Sequence, residues 1–265
     1  MKEVRIVFLL TALSVLNSCV EKESSLEILQ KTIHTIDTIE TIYYKQDMWR
    51  SDSRNFPDTI FRYREMYFKR MPSDSIVGVK GHWFMYVNDK ANVIYEDIYD
   101  GSRLIRKNNR DSTAMIYDLS KYPEFKRNPF WGHNTPYGIQ HQIKYILNHT
   151  GSYSIERLND TIILGGSCFQ ISIRLEDEIS MPGFAAGLED SKGSICSTIY
   201  FIDRKTYYPV RMKVESYNTK SPDRKIFIDQ IYHDIEFNLG INKDVQFITS
   251  DESVTGFEIL EMKPQ

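Results

Sequence analysis

The chain has 265 residues and a formal charge of −3, from 33 Lys and Arg against 36 Asp and Glu. That mild acidity supplies no basic field for a nucleic-acid backbone. The 41% apolar and 13% aromatic content belongs to a folded chain, long enough for one large domain or two small ones. Tyr and Phe are plentiful, which favours strands over helices.

Lys2 and Arg5 precede an apolar run, Ile6 to Leu16, broken only by small residues. The run is about half of the roughly 20 residues a spanning helix requires, which argues against a transmembrane anchor. Leu16-Asn17-Ser18-Cys19 follows, and the chain turns polar at Glu21-Lys22-Glu23. This is a secretory signal ending in a small residue before a cysteine. It resembles the lipobox of bacterial lipoproteins, which implies that Cys19 carries lipid and begins the mature chain. Removal of residues 1–18 takes away two cations and one anion, so −3 becomes −4. The expected organisation is a signal peptide over 1–18, a lipidated tether over 19–25 and a single domain over 26–265. Glu21-Lys22-Glu23 resembles the charged clusters of surface-export signals and lacks the Asp of inner-membrane retention. The expected address is the cell envelope at the outer membrane, with the periplasmic or surface side left open.

Ser24-Ser25-Leu26-Glu27 has the spacing of a capping box. Leu26, Leu29, Ile33 and Ile36 then share a helical face. Thr-Ile pairs recur every third residue from Thr32, and their β-branched density predicts that the helix gives way to a strand through Tyr43 and Trp49. Strand-like segments follow at Ile60–Lys69, His82–Val87, Asn92–Tyr99, Arg103–Arg106 and Thr113–Leu119. Asp100-Gly101 is a hairpin signal. Turns every 8–12 residues are those of an antiparallel meander. Residues 120–137, with Pro123, Pro129 and Pro136, read as a loop. Ile139, Ile143, Ile146 and Leu147 mark a second amphipathic helix that ends near His149. Further strands are expected at Tyr153–Leu158, Thr161–Leu164, Cys168–Leu175, Ile195–Ile202, Tyr208–Tyr217, Lys225–Leu239 and Phe257–Met262, with a long loop over 176–194. The fold class is α+β: one large curved antiparallel sheet wrapped around two helices.

The element order, with Tyr200-Phe201-Ile202-Asp203 and Tyr208-Pro209-Val210-Arg211-Met212, resembles the LolA/LolB-like lipoprotein carriers. It is also similar to the region preceding the thioredoxin domain in some anchored disulfide reductases. The resemblance implies an open half-barrel whose apolar cavity holds acyl chains. The two long loops and the lipid anchor depart from the LolA type.

No Gly-x-Ser-x-Gly or His-Glu-x-x-His is present, and no carboxylate pair stands out as acid and base. The six histidines lack the tight spacing of a metal site, and no cofactor motif occurs. Glu176-Asp177-Glu178 reads as a calcium ligand set or a solvated loop. Cys168 and Cys196 remain as a disulfide in an oxidising compartment or as two buried thiols, a choice that geometry decides. Phe130, Trp131, His133 and Tyr137 in the first long loop, and Phe184 in the second, are the ligand-binding candidates; the alternative is that they fill the core. Asp-(Ser/Thr) steps recur at Thr38, Thr59, Ser75, Ser112 and Thr161. They resemble an O-glycosylation motif of exported proteins, or arise from turn Asp beside strand Thr. The functional expectation is a non-enzymatic binding or structural module, its partners a membrane through the lipid and a lipid or protein ligand. The alternatives are an accessory module for a thioredoxin-like protein or membrane complex, and a hydrolase without a recognisable motif.

Overall fold

The computed structural model describes residues 23–53, 56–73, 78–87, 92–119, 121, 135–175, 194–218, 221–240, 247 and 249–262. The signal and Cys19 lie outside them. Helix α1 covers Ser25–Asp37 and is closed at its start by the capping box: Ser24 Oγ accepts from the Glu27 amide, and the Glu27 carboxylate accepts from the Ser24 amide at 2.7 Å. Its buried face is Ile28, Leu29, Thr32 and Ile36. Leu26, expected on that face, is 44% exposed, because the helix is turned so that Ile28 takes the inward position. Glu23 to Ser25, expected in the tether, belong to the folded unit. Glu23 pairs with Lys31 and accepts from the Tyr207 hydroxyl at 2.9 Å, while its carbonyl accepts from Arg157.

The strands are β1 Thr41–Asp52, β2 Phe56–Arg70, β3 Val79–Val87, β4 Tyr95–Tyr99, β5 Arg103–Asn108 and β6 Thr113–Asp118. After helix α2, Pro136–Asn148, come β7 Tyr153–Arg157, β8 Thr161–Ile163, β9 Gly166–Leu175, β10 Ser194–Asp203, β11 Pro209–Asn218, β12 Ser221–Phe237 and β13 Glu258–Met262. Their order across the sheet is β13-β6-β5-β4-β3-β2-β1-β12-β11-β10-β9-β7, with β8 also on β9. The sheet is large, curved, unclosed and mostly antiparallel, with the two helices on one face. One pairing departs from the antiparallel expectation: β13 runs parallel to β6. The chain leaves β12 near the middle of the sheet and crosses to the far edge, a connection that permits parallel arrival. On the way Val254 packs against Ile105 and Ala114 on the outer face.

Antiparallel register decides which side chains share a face. On the face covered by the helices, the inner face, Ile42, Phe68, Gly81, Tyr99 and Leu104 form one row. Tyr44, Met66, Trp83, Asp97 and Arg106 form the next. Gln46, Arg64, Met85, Tyr95 and Asn108 form the third. The apolar members of the first two rows join Ile28, Leu29 and Ile36 of α1 and Ile139, Ile143 and Ile146 of α2 in one core. Tyr200, Ile171, Ile173 and Val214 extend it across β9–β11. Each of these fully buried aliphatic side chains contributes roughly 1.5–3 kcal/mol, which fastens helices too short to be stable alone.

Cys168 and Cys196 are both free and buried. The register of β9 with β10 sets Cys168 against Asp203, seven residues along the strand from Cys196. At about 3.3 Å per residue the two thiols stand roughly 23 Å apart, far outside disulfide reach. The disulfide alternative gives way to the buried-thiol one, and burial raises both thiols to about 11.

Two expectations test this architecture. An added Cβ at Gly81 would stand 2.8 Å from the Phe68 ring and 2.9 Å from Trp83. Gly81→Ala should therefore lower unfolding stability by about 1–3 kcal/mol in denaturant titration; an unchanged midpoint would show that the row is not packed this way. A full chain carrying Cys19→Ser should give, in addition to any reactivity of the new terminus, two titratable thiols after denaturation without reductant and none from Cys168 or Cys196 while folded. Finding no thiols after denaturation would mean a disulfide and a different register.

Candidate functional site

Of the aromatic candidates, Phe130, Trp131, His133 and Phe184 lie outside the described residues. Tyr137 does not belong to a loop. Thr135 caps α2 by accepting from the Gly138 amide at 2.9 Å, and Pro136 occupies the first helical turn, so Tyr137 is helical. Its hydroxyl donates to the Ile39 carbonyl, and the Arg70 guanidinium stands 5.6 Å from its ring centre. It ties α2 to the link between α1 and β1. Burial pushes its hydroxyl pKa up. Among the Asp-(Ser/Thr) positions, Thr38, Thr59 and Ser112 are exposed, Thr161 is half-buried on β8, and Ser75 lies outside the described residues. Among those residues no three His, Cys, Asp or Glu side chains come together as a metal site.

The inner face changes character along its strands. Below the helices it is apolar; one row further on it is charged. Arg62 and Arg64 are two residues apart on β2, so both point to the face of Met66 and Phe68. Arg50 on β1 and Arg106 on β5 share that face. Arg106 is matched: it grips Asp97 through two bonds of 2.8 and 2.7 Å. Arg50 has Asp52 at 4.0 Å. Arg64, only 3% exposed, makes no ion pair with a carboxylate among the described residues; its Nη1 donates to Gln46 Oε1 at 3.1 Å. Gln46 donates on to Gln230 at 3.0 Å, and Gln230 to the Tyr232 hydroxyl at 2.6 Å, a buried polar chain from β2 to β12. The Nε atoms of Arg50, Arg62 and Arg64 are buried without a partner.

The electrostatics follow from this placement. Burial, then the charge of Arg62, lowers Arg64 to about 10. Burial, then the charge of Arg50, lowers Arg62. Both stay protonated near pH 7. The charges of Arg50, Arg106 and Asp97 act on the pair, while Met48 lies opposite Arg62 and Met85 opposite Arg64. Four guanidiniums with two carboxylates beside them, Asp97 on Arg106 and Asp52 near Arg50, can bind an anion through forked, charge-assisted hydrogen bonds.

A hollow of about 560 Å³ lies on the opposite face, lined in part by Asp47, Cys168, Asp203, His233 and Asp234. Its chemistry is local. Asp234 pairs with Lys45 at 2.9 Å, and Asp203 accepts from the Lys205 and Thr206 amides of its own turn.

No protein-family model matches the chain, and no curated protein does. Among solved structures it is similar to the lipoprotein LppX of Mycobacterium tuberculosis, at 10% identity and a TM-score of 0.49 over 83% of this chain and 98% of that one. It is similar to LprF of Mycobacterium bovis at 10% identity and a TM-score of 0.49, over 84% and 97%. It is also similar to the MucA/MucB complex of Pseudomonas aeruginosa, at 10% identity and a TM-score of 0.45, over 86% of this chain and 62% of that one.

Proposed function

We propose that this chain is a non-enzymatic lipoprotein of the cell envelope, anchored through Cys19 at the outer membrane, that holds an apolar or amphipathic ligand against the inner face of its sheet. The observation that supports this most is the composition of that face. An unclosed sheet keeps an edge-to-edge opening that a sealed barrel lacks. On this part of the face the helix-packed cluster ends at Met66 and Trp83, and Met48 and Met85 lie beyond it, buried at 5% and 7% exposure. Unbranched methionines adapt to ligands of varied shape. The resemblance of residues 16–19 to a lipobox supports a position at a membrane, where ligands of this kind are available.

Two measurements check the reading. Native mass spectrometry of the gently extracted protein should show a co-purified lipid, lost on organic extraction; a bare chain in every preparation would count against ligand carriage. Cys19→Ala should move the protein from the membrane to the soluble fraction, and an unchanged membrane fraction would refute the anchor.

A further inference from the structure

We infer that the inner face recognises an anionic amphiphile, its phosphate or carboxylate head group held by Arg62 and Arg64 and its apolar chain against Met48 and Met85, beyond the core that Met66 closes. The inference rests on the proposed function and specifies the ligand class of the same site.

Burying a guanidinium is costly unless it is paired and hydrogen-bonded. A protein that only needed to fill this part of the sheet would place aliphatic side chains there, as β9–β11 do with Ile171, Ile173 and Val214 on the same face. Strands β1 and β2 instead bring three guanidiniums together. Arg62 has no hydrogen bond or ion pair with a described residue, and Arg64 has only the neutral Gln46. Asp97, whose charge also acts on Arg64, has both oxygens held by Arg106. Arg64 and Arg62 are thus left with positive charge and buried N–H groups that no described side chain uses.

Gln46 and Gln230 give the arrangement its rigidity. The chain from Arg64 through Gln46 and Gln230 to Tyr232 fixes one side of the Arg64 guanidinium and leaves its Nε free. Guanidinium groups held in place in advance bind a planar or tetrahedral oxyanion with little ordering cost. The apolar partner follows from register. Met48 is the cross-strand neighbour of Arg62, Met85 that of Arg64, and Met66 is next along β2. A ligand that satisfies both halves of this surface has a charged head and an apolar chain.

The test uses the full chain carrying Cys19→Ala and three probes in calorimetric titration, below their aggregation thresholds. Dodecyl phosphate has head and tail, 1-dodecanoylglycerol a neutral head and the tail, and inorganic phosphate the anion alone. Dodecyl phosphate should bind at least about tenfold more tightly than either other probe. Replacement of both arginines (Arg62→Gln with Arg64→Gln) should weaken dodecyl phosphate by roughly tenfold or more and leave 1-dodecanoylglycerol within about twofold. The unfolding midpoint of this variant should not fall, since buried unpaired charge is removed; a large fall without change in dodecyl phosphate affinity would make the arginines structural and overturn the inference. If the double variant does not fold, Arg62→Gln alone, at the more exposed position, should still weaken dodecyl phosphate selectively. Equal binding of the two amphiphiles would overturn the anionic head group while leaving amphiphile carriage standing. Inorganic phosphate binding as tightly as dodecyl phosphate would overturn the apolar half of the inference. Binding of neither amphiphile would overturn the proposed function itself.

Discussion

The ladder between β1 and β2 is the constraint on which the rest of the inner face depends. It sets Ile42 against Phe68, Tyr44 against Met66, Gln46 against Arg64 and Met48 against Arg62. Because side chains alternate with a period of two, a one-residue slip would send every one of these to the opposite face. The helix-packed core and the arginines would leave the inner side together. One register therefore serves two ends: it completes the apolar surface that receives α1 and α2, and it lines up the charged rows beyond them. β12 carries the same surface onward by matching Gln46 with Tyr232 and Met48 with Gln230.

The two ends of that surface have opposite energetics. Under the helices, Ile28, Ile36, Ile139 and Ile143 are fully removed from water, and each adds to stability. At Arg62 and Arg64, the same removal from water works against folding, because the charges gain little in return. The polar chain through Gln46, Gln230 and Tyr232 recovers part of that loss by satisfying one side of Arg64. A stable apolar half supports a half that is not optimised for stability, the relation expected between a scaffold and the proposed binding region.

Much of the architecture was legible in the sequence, for local reasons. Ser24 and Glu27 announced the start of α1, and Asp100-Gly101 marked the β4–β5 turn, where Asp100 accepts from the Ser102 and Arg103 amides at 2.7 and 2.8 Å. The alternation of Phe169, Ile171, Ile173 and Leu175 gave the buried face of β9. What depends on pairing over long distances was not legible. The parallel arrival of β13 and the separation of Cys168 from Cys196 both follow from register, which neither segment encodes by itself. The rotation of α1 that exposes Leu26 is a packing outcome of the same kind. The arginines did leave a trace. In Arg62-Tyr63-Arg64-Glu65-Met66-Tyr67-Phe68, the strand period puts both arginines on the side of Met66 and Phe68. The aromatic rings of Phe61, Tyr63 and Tyr67 stand on the other side of the same strand and give it the stronger apolar pattern.

Glu23 is fastened to the domain from three elements. Its carbonyl is held by Arg157 of β7 at 2.5 Å and its carboxylate by Lys31 of α1 and Tyr207 of the β10–β11 turn. Glu23 stands four residues from Cys19 in the chain. Four residues extend to about 14 Å at most. With the proposed lipid on Cys19, so short a link would keep the end that carries Tyr207 and Arg157 next to the head groups, and the standing height of every other part of the sheet would be set by its distance from that clasp.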